Sequence, residues 1–210
     1  MSEVKSLLNM SFLHEINNEI ADCLPTEDLL EKWSFVTSIG KSTNKLTVTE
    51  RVIQFVEADS QTYKAVLECD DVLQGYLYRV KTPDSIRRKV QRHPDLKFQS
   101  VFNDILGIRI RVPDYELQFP EYYRVVDMQK GKAVDDGYRA VHLYYKKDNF
   151  HYPIEVQLWS DRDYNFNLWS HTYGYKILSN EVLKAVRDKY EMGEIKTYND
   201  YLREVRSLCQ

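Results

Sequence analysis

Two acidic residues, Asp104 and Glu155, lie in apolar, β-branched runs that predict strands of a sheet core. A carboxylate in such a run loses hydration and needs a partner, usually a cation or a metal ion. One of the two precedes the turn sequence Gly137–His142 and the other follows it. Together they predict a Mg²⁺ site for phosphate chemistry. Glu155 could also accept the proton of an attacking hydroxyl.

A basic cluster precedes the first carboxylate. Arg79 and Lys81 are two residues apart on a predicted strand, so both side chains project from one face. Thr82-Pro83 then begins a helix whose first-turn N–H groups favour phosphate, with Ser85 as a hydroxyl donor. Lys89 lies one helical turn beyond Ser85 and can reach the same face. The cluster suits a nucleoside triphosphate; taken alone, it fits a solvent-exposed basic helix as well.

Residues between positions 138 and 157 suit the binding of an acceptor molecule. Tyr138 offers a flat ring on which a base can stack, and His142 shares its strand parity and can donate to phosphate or ribose. Glu155 shares a face with Gln157. Core packing is the alternative for Tyr138 and His142, and a buried ion pair with Arg109 is the alternative for Asp104.

Hydrophobic periodicity predicts the elements that must position these side chains. The fold class is α+β, a mixed β-sheet of about five strands flanked by helices. Residues 129–137 form a polar loop that we expect to be mobile. Predicted helices cover residues 12–24, 27–33, 47–73, a short stretch from 83, 161–176, 181–191 and 197–208, and predicted strands cover residues 76–81, 105–112, 122–128, 138–146 and 151–159, the last two as a hairpin.

The chain of 210 residues predicts one compact domain: an N-terminal helical region over 1–74, a core over 75–176 and C-terminal helices over 177–210. A net charge of −3 restricts any polyanion site to a local patch. Basic residues cluster at 79–92 and at Lys130, Lys132, Arg139, Lys146 and Lys147. Three scattered cysteines, no apolar run long enough for a membrane span and no signal peptide predict a cytoplasmic protein.

Four ordered motifs resemble the synthetase domain of RelA/SpoT-type small alarmone synthetases: Arg79-Val80-Lys81-(x)3-Ser85-Ile86-(x)2-Lys89, Asp104-Ile105-Leu106-Gly107-Ile108-Arg109, Gly137-Tyr138-Arg139-Ala140-Val141-His142 and Glu155-Val156-Gln157. The resemblance covers residues 75–176. It implies a nucleotidyltransferase-like fold and transfer of pyrophosphate from ATP to a ribose 3′-hydroxyl. The chain contains no His-Asp dipeptide, so the hydrolase half of the family is expected to be absent.

The resemblance also implies roles for single residues. Arg79 and Arg109 would sandwich the adenine of ATP, while Lys81, Ser85 and Lys89 would bind its phosphates. Asp104 and Glu155 would hold Mg²⁺, with Glu155 near the attacking hydroxyl. The acceptor would be bound by Tyr138, Arg139, His142 and Gln157, with Tyr138 stacked on its base and His142 near its phosphates.

Departures from the family pattern bear on the acceptor. Trp159 replaces an arginine, and Ala133-Val134-Asp135-Asp136 replaces a Pro-Lys pair. Because Asp135 and Asp136 would repel a diphosphate, we expect an acceptor other than GDP or GTP. Residues 161–176 resemble the toxic branch of the family, which implies the 3′-terminal adenosine of tRNA as acceptor, inhibition of translation and an antitoxin partner. The alternative is a synthetase of (p)ppGpp in which Lys130 and Lys132 reach the acceptor diphosphate.

Two other hypotheses fit the sequence less well. Gly40-Lys41-Ser42-Thr43 resembles part of a P-loop, but position 35 is Phe instead of the required Gly, and no clear strand precedes it. Lys41 and Lys45 could instead contact the acceptor's phosphate backbone. An inactive interaction module would keep the strands and lose the carboxylates, whereas both carboxylates are present.

Overall fold

The computed structural model describes residues 24–43, 46–70, 73, 75–95, 97–175 and 177–209. Residues 12–23 of the predicted first helix lie outside this part of the chain, and so do Lys45 and Lys176. Contacts divide the chain into two units. The first comprises the described residues of Met1–Ile110, Gln118–Val125 and His142–Gln157, and the second comprises those of Arg111–Leu117, Val126–Val141 and Leu158–Gln210.

Two predicted helices precede the sheet. Helix α1 spans Glu27–Trp33 and begins where its sequence indicates, because the Thr26 side chain accepts a hydrogen bond from the Leu29 N–H. Helix α2 spans Glu50–Asp70, inside the predicted range of 47–73. Both helices bury apolar side chains in the first unit, where Leu30 and Val56 are fully buried.

The next part of the chain alternates strands and short helices. Strand β1 (Leu77–Val80) leads into helix α3 (Pro83–Arg92), and helix α4 (Phe98–Val101), which the sequence analysis did not predict, precedes strand β2 (Leu106–Val112). Proline suits the first turn of α3, where its missing N–H costs no helical hydrogen bond. Strands β1 and β2 are antiparallel, with Arg79 opposite Gly107 and Leu77 opposite Arg109.

Strands β3 (Arg124–Asp127), β4 (Val141–Tyr145) and β5 (Ile154–Ser160) complete the sheet, in the order β1-β2-β5-β4-β3. The prediction of an α+β fold with a sheet of five strands and flanking helices is confirmed within the described residues. The predicted pairing of β4 with β5 is also confirmed, because the two strands are neighbours. Strand β5 is almost wholly buried although its sequence alternates apolar residues with Glu155 and Gln157.

Helices dominate the end of the chain. Helix α5 spans Asp161–Trp169 and continues as a π-helical turn over Ser170–Gly174, followed by α6 (Asn180–Glu191) and α7 (Tyr198–Leu208), close to the predicted bounds. Each α-helix begins at a Ser or Thr cap whose hydroxyl accepts an N–H hydrogen bond. A buried cluster holds these helices together in the second unit: Phe166, Trp169, Val186, Ile195 and Tyr201.

The segment Gly40–Thr43 is not a P-loop. Within the described residues no strand precedes it, since Val36 forms only an isolated bridge with His151. The Thr43 hydroxyl accepts hydrogen bonds from Gln99 and Lys146, so it serves packing in the first unit. No described helix combines the length and the apolar character needed to cross a membrane.

Candidate active site

Asp104 lies at the centre of a cationic cluster in the first unit. It is buried and bonded to Lys81 Nζ at one oxygen and to Lys89 Nζ, 2.8 Å away, at the other. Arg79 Nη2 lies 3.7 Å from Asp104 Oδ2. Strand β2 begins only at Leu106, so Asp104 precedes the strand and strand parity does not separate it from these cations. Three positive charges surround one negative charge, an arrangement that attracts polyphosphate.

The cations of the cluster come from two elements. Lys81 follows β1, and burial lowers its pKa even though Asp104 opposes that shift. Lys89 lies on α3, where it also donates to Asn103 Oδ1 at 2.8 Å. At the start of α3, the Ser85 hydroxyl accepts from Thr82 Oγ1 at 3.0 Å. The helix therefore presents Lys89 to the cluster and a hydroxyl at its N-terminus.

Arg79 and Arg109 lie on one face of the sheet. In the β1–β2 register Arg79 on β1 is opposite Gly107 on β2. Arg109 lies two residues after Gly107 on β2, so the side chains of Arg79 and Arg109 share a face. The Arg79 side chain is 44% exposed, so it can reach a ligand. A Cβ at Gly107 would lie 3.6 Å from Glu155 Oε2 and 3.7 Å from Arg79 Nε. Gly107 thus marks the place where Glu155 and Arg79 approach each other.

Glu155 lies in a second network of the same unit. Its Oε1 is 3.0 Å from His142 Nδ1 and 2.8 Å from the Tyr144 hydroxyl, which donates to it. Its Oε2 accepts from Gln157 Nε2 at 2.7 Å. Burial alone would raise the pKa of Glu155, but its interaction with His142 and the hydrogen bonds donated by Tyr144 and Gln157 lower it to about 2. A carboxylate with so low a pKa suits a cation ligand better than a general base.

Tyr144 is a residue that sequence reasoning missed. Its hydroxyl contacts Glu155 directly, and its position two residues after His142 in β4 gives both side chains the same face. Strand parity could have identified it. Tyr144 was not singled out because tyrosine is common in strands, so the run Val141–Tyr145 is typical of an ordinary strand.

The donor chemistry of the two carboxylates fits Mg²⁺. This ion is usually held by one or two carboxylates together with substrate phosphates and water. Within the described residues no group of three or more His, Cys, Asp or Glu side chains could hold a metal by itself. That Asp104 and Glu155 share a Mg²⁺ ion whose remaining ligands are phosphate oxygens stays a prediction.

Tyr138 belongs to the second unit. Its ring is buried, 6% exposed, and its hydroxyl accepts a hydrogen bond from Trp159 Nε1 at 3.0 Å. Lys132 Nζ lies 4.8 Å from the centre of the ring. Gly137 has a φ of +77°, a conformation that glycine adopts without strain, and it turns the chain just before Tyr138. That Tyr138 stacks on the acceptor's base stays a prediction.

The acidic loop residues are paired in the second unit. Arg139 binds Asp135 through two hydrogen bonds of 2.7 and 3.0 Å, and the pKa of Asp135 is lowered, first by that hydrogen bond. Asp136 pairs with Lys132 at 2.5 Å. The expectation that the two aspartates would repel a diphosphate is therefore corrected, because each charge is already compensated. The prediction that Arg139 binds the acceptor stays untested, with its guanidinium engaged by Asp135.

The structure brings most of the predicted site residues into the first unit. Hydrogen bonds and ion pairs join them into the two networks around Asp104 and Glu155, and Ser85 and Arg109 lie on the elements beside them. Tyr138 and Arg139 lie in the second unit. The residues in the first unit are Arg79, Lys81, Ser85, Lys89, Asp104, Arg109, His142, Glu155 and Gln157.

No protein-family model matches the chain, and no curated protein sequence matches it. The chain is similar to the small alarmone synthetase 1 from Bacillus subtilis bound to its product pppGpp, with 19% identity and a TM-score of 0.41 over 76% of this chain and 93% of that chain. The chain is also similar to the small alarmone synthetase 2 from Bacillus subtilis, with 19% identity and a TM-score of 0.41 over 71% of this chain and 91% of that chain. A GTP pyrophosphokinase family protein from Streptococcus pneumoniae is similar with 17% identity and a TM-score of 0.38 over 74% of this chain and 92% of that chain.

Proposed function

We propose that this protein is a pyrophosphotransferase that moves the β,γ-pyrophosphate of ATP to the 3′-hydroxyl of a guanine nucleotide, GDP or GTP. In this reaction the hydroxyl oxygen bonds to the β-phosphorus, the bond between that phosphorus and the oxygen bridging it to the α-phosphorus breaks, and AMP leaves. The observation that carries the proposal is the convergence of Arg79, Lys81 and Lys89 on Asp104. Such a cluster is suited to a phosphate chain that carries several negative charges.

The donor binds at the cationic cluster. Lys81, Lys89 and the hydroxyl of Ser85 contact the phosphates, and the adenine lies between the guanidinium planes of Arg79 and Arg109. Support for the base site comes from the shared face of the two arginines and from the exposed side chain of Arg79. Support for the phosphate site comes from Lys81, whose burial makes an ammonium costly unless anions surround it.

Asp104 and Glu155 would hold a Mg²⁺ ion together with ATP phosphates. When bound, this ion neutralises charge that develops on the transferred phosphoryl group. Asp104 stands among the cations that hold the donor. Glu155 is kept ionised by His142, Tyr144 and Gln157, so it is ready to bind a cation at neutral pH.

We take the acceptor to be a guanine nucleotide, because the charges of Asp135 and Asp136, expected to repel its diphosphate, are compensated. Asp135 and Asp136 are neutralised by Arg139 and Lys132, and so they place no uncompensated negative charge against a diphosphate. His142 and Gln157 lie beside Glu155, where the acceptor hydroxyl must meet the donor. The 3′-terminal adenosine of tRNA as acceptor, and an antitoxin as partner, stay predictions from the sequence.

One assay tests the proposal. The chain is incubated with Mg²⁺, ATP labelled at the γ-phosphate, GDP, GTP and bulk tRNA in one tube, and the products are separated. Label on GDP or GTP is the expected result. Label on tRNA alone would support pyrophosphate transfer and overturn the acceptor, and label on no acceptor would overturn the function. Glu155→Gln is the inactive control, and Glu121→Gln, at an exposed residue, is the matched control that keeps activity.

Tyr138 provides a separate test of the acceptor site. We expect Tyr138→Ala to raise the KM for the acceptor more than the KM for ATP, because only the acceptor's base would stack on the ring. Tyr138→Phe keeps the ring and removes the hydroxyl that accepts from Trp159 Nε1, so it should change the acceptor KM less than Tyr138→Ala does. Equal increases in both KM values for the alanine variant would contradict the stacking role.

A further inference from the structure

A cavity of about 460 Å³ lies in the first unit, next to the network around Glu155. We call it the Arg124–Lys146 cavity, after its two cations. None of its lining residues, all of them in the described part of the chain, is acidic. They are Gln99, Ser100, Asn103, Arg124, Tyr144, Lys146 and Pro153. Two cations with amide and hydroxyl groups and no carboxylate form a lining that suits an anion.

The two cations contact neutral groups, and the negative charge of Asp148 also acts on Lys146. The guanidinium carbon of Arg124 lies 4.6 Å from the centre of the Tyr144 ring, so the guanidinium rests on an aromatic surface. Among the described residues, Arg124 has no carboxylate within ion-pair distance. Lys146 Nζ donates to Thr43 Oγ1 and to Asn149 Oδ1, both at 3.1 Å. Burial lowers the pKa of Lys146, so a bound anion would relieve the cost of its desolvated charge.

Two walls of the cavity are shared with the proposed active site. The Tyr144 hydroxyl donates to Glu155 Oε1 at 2.8 Å. On the other side, Asn103 immediately precedes Asp104 and accepts from Lys89 Nζ at 2.8 Å. An anion in the cavity is therefore one side chain away from each of the two carboxylates.

The sheet order indicates which substrate supplies the anion. The donor residue Arg79 lies on β1, Glu155 lies on β5, and Tyr144 and Arg124 lie on β4 and β3. In the order β1-β2-β5-β4-β3 the two strand residues of the cavity, Tyr144 and Arg124, are thus on the far side of Glu155 from β1. An acceptor phosphate held by them would bring the acceptor to Glu155 from the side opposite β1.

We propose that the Arg124–Lys146 cavity binds a phosphate group of the acceptor. This inference rests on the proposed function and extends it to a part of the acceptor that does not react. Binding energy from such a remote group lowers the KM for the acceptor when it is realised equally in the ground state and in the transition state. The same chemistry is offered by the 5′-phosphates of a nucleotide and by a phosphodiester of an RNA end.

The test uses Arg124→Gln and Lys146→Gln, with Lys147→Gln as a matched control at an exposed neighbouring lysine. Each cavity variant should raise the KM for GDP about 10- to 100-fold, the range expected for the loss of a charge-assisted hydrogen bond. The KM for ATP and the kcat at saturating GDP should change by less than about twofold, as is usual when binding common to ground and transition states is lost. Guanosine, which has no phosphate, should be used equally well by wild type and variants.

Several outcomes separate this inference from the proposed function. If wild type uses GDP and the cavity variants match it, the inference is overturned and the function stands. If wild type labels only tRNA, loss of that labelling in the variants shows that an RNA phosphodiester fills the cavity, and unchanged labelling overturns the inference. If wild type transfers to no acceptor, the affinity of inorganic pyrophosphate is compared between wild type and Lys146→Gln. Weaker binding to the variant supports the inference, and equal binding overturns it.

Folding of the variants is monitored independently. Lys146→Gln keeps a donor for Thr43 and Asn149, and a glutamine at the exposed position 124 leaves no buried group unpaired. Thermal unfolding of Arg124→Gln close to that of wild type ensures that its kinetic effect reports the cavity.

Discussion

Replacing Asp104 by Asn tests the cationic cluster through protein stability, without any substrate. If a metal ion were the carboxylate's sole partner, this change would leave folding nearly intact. The structure predicts otherwise, because Lys81 is only 7% exposed and pairs with Asp104. In Asp104→Asn the Lys81 ammonium stays buried without its countercharge, and loss of one partner of a buried pair costs about 3–5 kcal/mol.

The expected size is at the lower end of that range. Asparagine still accepts a hydrogen bond, and Lys89, with 18% of its side chain exposed, can turn toward water. We therefore expect the free energy of unfolding to fall by about 3 kcal/mol, which lowers the Tm by about 6–12 °C for a chain of this size. Urea unfolding at pH 7, followed by circular dichroism, measures the change. Asp95→Asn, at an exposed carboxylate, is the control and should stay within about 0.5 kcal/mol of wild type.

The pH dependence identifies the charge responsible. Burial already lowers the pKa of Lys81, and Asp104 counteracts that shift, so the asparagine variant lowers the pKa further. A lysine whose folded pKa is depressed opposes folding below its unfolded value of 10.5, and this penalty fades as the pH rises toward that value. The destabilisation should therefore be smaller near pH 10 than at pH 7. Adding Lys81→Met to Asp104→Asn should restore most of the lost stability.

Two results would refute this reasoning. A destabilisation below about 1 kcal/mol at pH 7 would mean that no buried charge depends on Asp104. A loss of the same size at pH 7 and near pH 10 would mean that Lys81 is not the group left unpaired. Either result would remove the cationic cluster on which the proposed donor site depends.

Two further perturbations address the Glu155 network and the turn before Tyr138. Because the pKa of Glu155 is lowered from 4.5 to about 2, its ionised form stabilises the fold above pH 4.5, and about 3 kcal/mol is lost as the pH falls toward 2. The free energy of unfolding should therefore fall less steeply with decreasing pH in Glu155→Gln than in wild type. The same pH dependence in both proteins would contradict the network around Glu155. Gly137→Ala should cost about 2–4 kcal/mol in urea unfolding, since its Cβ would lie 2.9 Å from Arg187 Cβ and 3.0 Å from the Phe166 ring at a φ of +77°. Gly193→Ala, with φ +76° and open space around it, isolates the backbone strain, and equal losses in the two variants would disprove the steric clash.

Local sequence determined the elements of this protein. The cap at Thr26, the proline that begins α3 and the alternating apolar residues of β5 each act on residues within a few positions, so the sequence indicates where the elements lie. Among the described residues the sequence did not predict helix Phe98–Val101, which is a single turn and too short for helical periodicity to identify. Asp104 and Glu155 are predicted from the sequence as functional carboxylates because a buried charge among apolar residues requires a partner.

Tertiary structure alone decided what each charge does. Asp104 has cationic partners on β1 and α3, and Glu155 gains Tyr144 as a donor from the neighbouring strand β4. The paired aspartates of the 129–137 loop are the clearest case. Asp135 reads as a free negative charge in the sequence, yet Arg139 neutralises it four residues away. Periodicity predicts which face of a strand or helix a side chain occupies, but a loop has no period, and ionic partners there depend on where the folded chain places each group.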